Sequence, residues 1–395
     1  MNTASPSTSA ARHPLVQSAI DLQDELRKRG KQIDEARQLP QELAERMAAL
    51  GFYRLCVPKT LGGAEVSPRV FTEVCEALGY ANGSAGWCVF ISSTSQLTFA
   101  AVDEAQRNRM LADPNVIVSS VFADSGTARF EERDGQDGFV INGHWRWGSS
   151  SHNAAWICGA LHEVDAEGEP VERELPVTRA WFLPDEIEIV DNWHTSGLRG
   201  SGSSDYKAND LWLPMERMVR VIERSPHGDH PLFRFPRFGM LSIPAVGVAL
   251  GMAQCCIDEV LTGAGAKQPK DSRRSLAQRP SLHQDVATAQ TDLAAARLLL
   301  FSRIDDAWEH AQTQPETLEH RLAIRTANVH AVRTAVRVID RMYTVMGGNS
   351  VFVDSILQQH FRDVHVVTQH MMMGDSVMEL AGRVMLGVDE RGIGL

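Results

Sequence analysis

The spacing of apolar positions along the chain changes twice. From about residue 14 to 112 they recur every three or four residues, the period of helices with one buried face. Runs 15–30 and 41–50 show it most plainly, and Gly51 stands where a helix would end in a left-handed cap. The loop PKTLGG (58–63) separates these from two further helical runs, 67–80 and the small-residue, apolar 83–101. From about residue 115 the period drops to two. VIVSSVF (116–122) is strand-like, and a DGQDG turn at 134–138 predicts a hairpin. Alternation continues to about 215, and six of the eight tryptophans (Trp145, Trp147, Trp156, Trp181, Trp193, Trp212) fall in this stretch. Aromatic rings suit a half-buried pleated surface, so sheet core accounts for much of that enrichment. After about 240 the helical period returns. PAVGVALGMAQCCIDEVL (244–261) is apolar nearly all round, which predicts a central helix. Ser281 and Gln284 form a capping-box pattern ahead of a long helix that carries Leu282, Val286, Ala289, Leu293, Leu300 and Ile304 on one face. A second long helix over about 317–346 stops at Gly347-Gly348. Long helices of this kind pack as an antiparallel bundle. The expected order is therefore an N-terminal helical domain over 14–114, a β-domain over 115–225 and a helical bundle over 226–395.

Composition narrows the class of protein. With 43% hydrophobic and 23% charged residues in 395, the chain has the make-up of a folded globular protein with an ample core. A net charge of −11 argues against nucleic acid as the main partner. No run reaches the roughly 18 uncharged apolar residues of a membrane helix. The opening MNTASPSTSAARHP reads as a frayed tail without a signal-peptide core. The six cysteines make no CxxC pair and no zinc-type spacing, so a cytoplasmic chain without structural disulfides or bound metal is expected.

Three segments in this architecture carry a resemblance. PKTLGG (58–63), SGLRGSGSSDYKANDLWLPMER (196–217) and MGGNS (346–350) resemble, in order, segments of the acyl-CoA dehydrogenase superfamily. The resemblance spans nearly the whole chain. It implies a mainly α, acyl-CoA dehydrogenase-like fold with a central β-domain: N-terminal helices, a small β-barrel or sandwich, and a C-terminal four-helix bundle.

The chemistry hosted by such a fold has to be read from the site. In FRDVHVVTQHMMMGDS (361–376) the position eight residues after Asp363 is Met371, where the common acyl-CoA dehydrogenases carry a glutamate that removes a substrate proton. A thioether cannot accept a proton at neutral pH. His370 stands one residue earlier. That pattern resembles the two-component flavin-dependent aromatic monooxygenases of the same superfamily, in which a histidine after the Arg-Asp pair lies near flavin and substrate. His365 reads as structural. GHWRWGSSSHNAAW (143–156) resembles the Gly-x-Trp-x-Trp-plus-serine strand end of that branch. The resemblance implies that Trp147 packs against the flavin, that Ser149 or Ser150 hydrogen-bonds at its N5, and that Ser149 and His370 are the catalytic pair. By the same likeness Phe122, Ser125, Thr127, Arg199, Gly347 and Gly348 are cofactor-contact candidates, and Trp87, Phe90 and Met371 line a substrate pocket. Each has a plainer reading as core, loop or cap.

The function implied is the oxygenase component of a reduced-flavin-dependent monooxygenase. It would hydroxylate a small aromatic substrate, indole or indole-3-acetate-like or a phenol, with O2 through a flavin C4a-hydroperoxide. The flavin would be FAD, with FMN possible, reduced by a separate reductase, and the assembly a homotetramer. The imidazole of His370, titrating near neutrality, could take a proton from the substrate or donate one. Two rivals stand beside this. An acyl-CoA dehydrogenase or oxidase would need a carboxylate such as Asp375 at the substrate. A non-enzymatic helical interaction protein would make Trp147, Ser149 and His370 coincidences.

Overall fold

The computed structural model describes residues 12–172, 176–220, 230–270 and 272–395. Six helices come first: α1 (Pro14–Asp21), α2 (Gln23–Ala36), α3 (Gln41–Ala49), α4 (Pro68–Ala81), α5 (Gly83–Ser95) and α6 (Glu104–Leu111). Seven strands follow: β1 (Val118–Phe130), β2 (Gly138–Gly148), β3 (Trp156–Val164), β4 (Arg179–Phe182), β5 (Glu188–Val190), β6 (Ser204–Pro214) and β7 (Met218–Val219). The last third holds α7 (Pro231–Arg234), α8 (Arg237–Met240), α9 (Ile243–Gly263), α10 (Pro280–Ala311), α11 (Leu318–Met346), α12 (Ile356–Val367) and α13 (Asp375–Met385).

Local chemistry sets most of these ends. The Ser67 hydroxyl accepts from Val70 N at 3.3 Å and Pro68 opens α4, while the Asn82 side chain accepts from Ala85 N at 3.0 Å to start α5. Two expectations need correction. The run 83–101 is α-helical only to Ser95 and continues as a tighter 3-10 turn over Gln96–Ala101. The hydroxyls of Thr94 and Ser95 bond back to the carbonyls of Phe90 and Ile91, which competes with the helical ladder there. The long helix α10 starts on Pro280 with Arg279 as its cap. The capping box sits one turn earlier, Ser275 with Gln278, in a 3-10 turn.

The predicted central helix is α9, buried nearly all round. It crosses α4 so closely that a Cβ on Gly251 would lie 2.0 Å from the Glu76 carbonyl oxygen. Helices from both ends of the chain share one apolar core, which runs from Val16 through Val248 to Met373.

The β-domain is one sheet in the order β5-β6-β2-β1-β3-β4-β7, antiparallel except for β1 with β3. Its core is the buried indole of Trp145. The ring stacks on Tyr206 at 5.4 Å between centroids and donates Nε1–H to the Ala160 carbonyl at 2.6 Å. It fits only because Gly126, Gly143 and Gly159 leave room: a Cβ at any of the three would come within 2.5 Å of the ring. Three irregularities interrupt the ladder, one of them between Ile141 and Gly143, and the other two face the helices. Of these two, one falls in β1 between Val121 and Gly126, the other in β2 between Trp145 and Gly148. Bulges re-aim side chains at the edge of a sheet, and both lie where β-domain and helices meet.

Gly159→Ala should therefore destabilise the protein by the ~1–3 kcal/mol of an overpacked core, because a Cβ there would sit 2.3 Å from the Trp145 ring. Chemical denaturation would read this as a lowered midpoint. An unchanged midpoint would mean that β3 yields without cost.

Candidate active site

The two bulges, α5 and the turn after α12 enclose a cavity of about 490 Å³. Its lining is mostly apolar, and among the described residues no Asp or Glu belongs to it. The β1 bulge brings Phe122 to its wall, and α5 contributes Trp87 and Phe90. The β2 bulge puts Trp147 at φ +67° with its indole 67% exposed. A large ring held open to solvent in a left-handed conformation is costly without a covering group. Next to it Ser149 is buried, yet its side chain lines the cavity. Its hydroxyl accepts from the Trp87 indole N–H at 3.1 Å and lies 2.6 Å from the Ser203 hydroxyl.

His370 stands in the turn between α12 and α13, not on a bundle helix. Its ring meets Trp87 edge-on at 5.5 Å and Phe90 at 6.1 Å. Nδ1 accepts from Met372 N at 3.3 Å, which assigns the ring proton to Nε2. Burial, helped by the nearby Arg325 guanidinium, pushes its pKa down from 6.5 to about 4. The expectation of an imidazole titrating near neutrality is thus corrected. The ring is neutral in that range, and with Nδ1 occupied it offers an N–H as its free polar group. Arg325 is itself buried. One of its nitrogens donates to the Met372 carbonyl at 3.1 Å, and burial lowers its pKa to about 10.

The other candidates separate. Met371 lines the cavity and is 72% exposed. Of the two serines, Ser149 faces the cavity, whereas Ser150 is buried beside Cys88 and outside it. Ser125 and Thr127 lie outside the cavity as well, Ser125 on the exposed part of the β1 bulge. Arg199 turns away: its Nε donates to the Asp34 carbonyl at 3.1 Å on α2. Gly347 and Gly348 end α11 beside a different cavity of about 470 Å³, whose wall includes Met346 and Asn349. His365 donates Nδ1–H to the Phe361 carbonyl at 2.7 Å and has no part in the site. Asp375 pairs with Arg333 on the outer surface, so it supplies no carboxylate to the cavity.

Sequence reasoning missed Ser201, Ser203, Trp193 and Leu198. Trp193, Leu198 and Ser203 line the cavity, and Ser201 bonds to Ser203. The crowding of serine and glycine in 196–204 was the available signal.

A helical body with an inserted sheet and a mostly apolar cavity at their junction is the layout of acyl-CoA dehydrogenase-like flavoproteins. Residues 17–114 match the family described as "Acyl-CoA dehydrogenase, N-terminal domain", and residues 243–375 match "Acyl-CoA dehydrogenase, C-terminal domain". An indole-3-acetate monooxygenase of Pseudomonas putida is 29% identical over 387 residues, 97% of this chain and 96% of that one. The oxygenase subunit HsaA of a flavin-dependent monooxygenase from Mycobacterium tuberculosis is 28% identical over 375 residues, 90% of this chain and 91% of that one. Among solved structures, XiaF from a Streptomyces species, in complex with FADH2 and glycerol, superposes with a TM-score of 0.86 at 23% identity, covering 95% of each chain. The chain belongs to the acyl-CoA dehydrogenase superfamily, in its branch of flavin-dependent monooxygenase oxygenase components.

The neutral His370 makes a prediction for stability. An unfolded histidine charges near 6.5 and the folded one near 4, so between these values the unfolded chain binds more protons. Its contribution is complete above 6.5 and is lost as pH falls toward 4. His370→Asn removes that contribution and leaves other groups common to both proteins. Its unfolding midpoint should fall less steeply than the wild type's between pH 6.5 and 4. Equal slopes would mean that His370 takes up its proton at the same pH in the folded and the unfolded chain.

Proposed function

We propose that this protein is the cytoplasmic oxygenase component of a two-component monooxygenase that hydroxylates a small aromatic compound, an indole or indole-3-acetate-like molecule or a phenol. The observation that carries the reading is the convergence of Trp147, Ser149 and His370 on one cavity that has no carboxylate among the described residues. Reduced FAD, or FMN in its place, would supply the two electrons that activate dioxygen, delivered by a separate reductase.

The residues fit a flavin ring. The exposed Trp147 indole offers a flat apolar face, and the Ser149 oxygen offers a buried polar contact at its edge. Trp87 and Phe90 would hold the aromatic substrate from the α5 side. His370 would present its Nε2–H to an oxygen atom between substrate and flavin, and Met371 would cap the opening. Ser125 and Thr127, outside the cavity, would meet the tail of a dinucleotide. The apolar walls keep water from the reacting atoms. Gly347 and Gly348 would serve the flavin of a neighbouring subunit in a homotetramer. The exposed Val351, Phe352 and Val353 next to them provide apolar surface for that packing.

An acyl-CoA dehydrogenase needs a base at the substrate, and neither Met371 nor Asp375 supplies one. Adding acyl-CoA to the oxidised holoprotein under anaerobic conditions should leave the flavin absorbance unchanged. The positive test mixes the protein with photochemically reduced FAD, oxygen and a panel of indoles and phenols, and follows hydroxylated product. Bleaching by acyl-CoA with no product from any aromatic would overturn the proposal.

Ser149→Ala should divert oxygen from product to hydrogen peroxide. Loss of one hydrogen bond of ~1–3 kcal/mol corresponds to a change of about five- to 150-fold in the competing rate. Peroxide yield per product formed is the measurement, and an unchanged ratio would remove Ser149 from the chemistry. His370→Ala should lower hydroxylation by the ~10²–10³-fold typical of a lost hydrogen-bond donor aimed at a developing charge while reduced flavin still binds. Wild-type product yield in this variant would exclude His370.

A further inference from the structure

Ser149 does not stand alone. Its hydroxyl is 2.6 Å from that of Ser203, which is 2.7 Å from that of Ser201, which lies 2.7 Å from the Leu198 carbonyl oxygen. All four residues are at least 97% buried. A serine hydroxyl has one hydrogen to give and two lone pairs to receive with. A carbonyl can only accept. The Ser201 hydrogen is therefore spent on Leu198, so Ser201 accepts from Ser203. The Ser203 hydrogen is then spent on Ser201, so Ser203 accepts from Ser149. The Ser149 hydrogen points to Ser203, and one of its lone pairs receives the Trp87 indole N–H at 3.1 Å. What remains for the cavity is a single acceptor position. The carbonyl at the end of the row thus dictates the direction of every bond in it.

We propose that this one-way row of hydroxyls makes the site selective for the redox state of its flavin, with Ser203 and Ser201 as positioning residues. The proposal rests on the flavin reading of the cavity. The N5 of a reduced flavin carries a hydrogen and donates, and the N5 of an oxidised flavin has only a lone pair and accepts. An acceptor-only Ser149 pairs with the first and faces the second with its own lone pair. An oxygenase that receives reduced flavin from a separate reductase benefits from that asymmetry, because spent flavin is not held.

The row is built rigidly. The Leu198 carbonyl also receives the Trp193 indole N–H at 3.0 Å and the Ser201 N–H at 3.0 Å, and Ser150 N donates to the Ser201 carbonyl at 2.9 Å. Ser119 holds the Ser149 backbone carbonyl at 2.7 Å. None of these partners reverses the direction, since each donates to a backbone carbonyl oxygen, which can only accept.

The test compares wild type, Ser203→Ala, Ser201→Ala and Ser203→Thr by anaerobic titration with reduced and with oxidised FAD. Wild type and Ser203→Thr should both prefer the reduced form. Ser203→Ala frees the Ser149 hydrogen to donate into the cavity, and Ser201→Ala frees that of Ser203 to turn toward Ser149. In both, the ratio of oxidised to reduced dissociation constants should fall about five- to tenfold, which is about 1–1.4 kcal/mol. A flavin-free readout accompanies it. The Trp87 indole N–H resonance in the 15N spectrum of the apoprotein should shift in Ser203→Ala and return toward the wild-type position in Ser203→Thr. A folded Ser203→Ala with an unchanged affinity ratio would overturn the redox selection while leaving the flavin site standing. Failure of wild type to bind either form would instead bring down the flavin reading itself.

Discussion

One hydrogen bond holds the site together: Leu198 N donates to the Asp363 carboxylate at 2.6 Å. Asp363 is on α12, deep in the helical body, and Leu198 belongs to the loop that leads into β6. The bond fastens Leu198 at φ +47°, a left-handed conformation that costs a branched residue energy unless something fixes it. Burial makes the anion expensive and pushes the Asp363 pKa up to about 7, and its second oxygen has no hydrogen-bond partner. So expensive a carboxylate is explained by what it anchors. From the Leu198 peptide depend the Trp193 indole, the Ser201–Ser203 row and, through it, Ser149. The helical body and the sheet are thereby set in register at the cavity between them.

The opposite wall is organised by a cation. Arg325 is buried with one hydrogen bond, to the Met372 carbonyl, and no carboxylate partner among the described residues. Met372 also supplies the N–H that fixes His370 in one tautomer. The same short turn therefore positions the imidazole, fixes its proton and lies close to a charge that adds to burial in keeping it neutral. With no acid in the cavity wall among the described residues, nothing described there stabilises an imidazolium. This favours hydrogen-bond donation to oxygen and disfavours the base chemistry that Met371 had already placed in doubt.

The periodicity of the chain revealed most of the architecture because burial is written in spacing. The helix over 317–346, the nearly all-apolar 244–261 and the hairpin around 134–138 all reflect which residues must leave water. Trp147, Ser149, His370, Trp87 and Phe90 were legible through the resemblance of their segments. The pattern could not show direction. Whether Ser149 or Ser150 faces inward depends on a bulge that adds one residue to β2, and alternation cannot anticipate an added residue. The pKa of His370 depends first on burial, to which α5 contributes, and then on Arg325, 45 positions away in sequence. The Ser201–Ser203 row was not legible in the sequence, since polarity there says nothing about enclosure. Arg199, conspicuous in LRGSGS, was taken up by Asp34.

The shared core of the two chain ends has a consequence for how the protein is made. Helix α4 and its partner α9 lie more than 160 residues apart, with the whole sheet between them. During synthesis α4 and α5 emerge carrying apolar faces whose cover has not yet been translated. The sheet, whose strands pair mostly with near neighbours, can close first. The N-terminal helices must wait for α9 before their core is complete, and exposed helix faces of this kind are what chaperones bind. Assembly of the body is then the late, long-range step. The cavity, lying on the seam between early sheet and late helices, takes shape last.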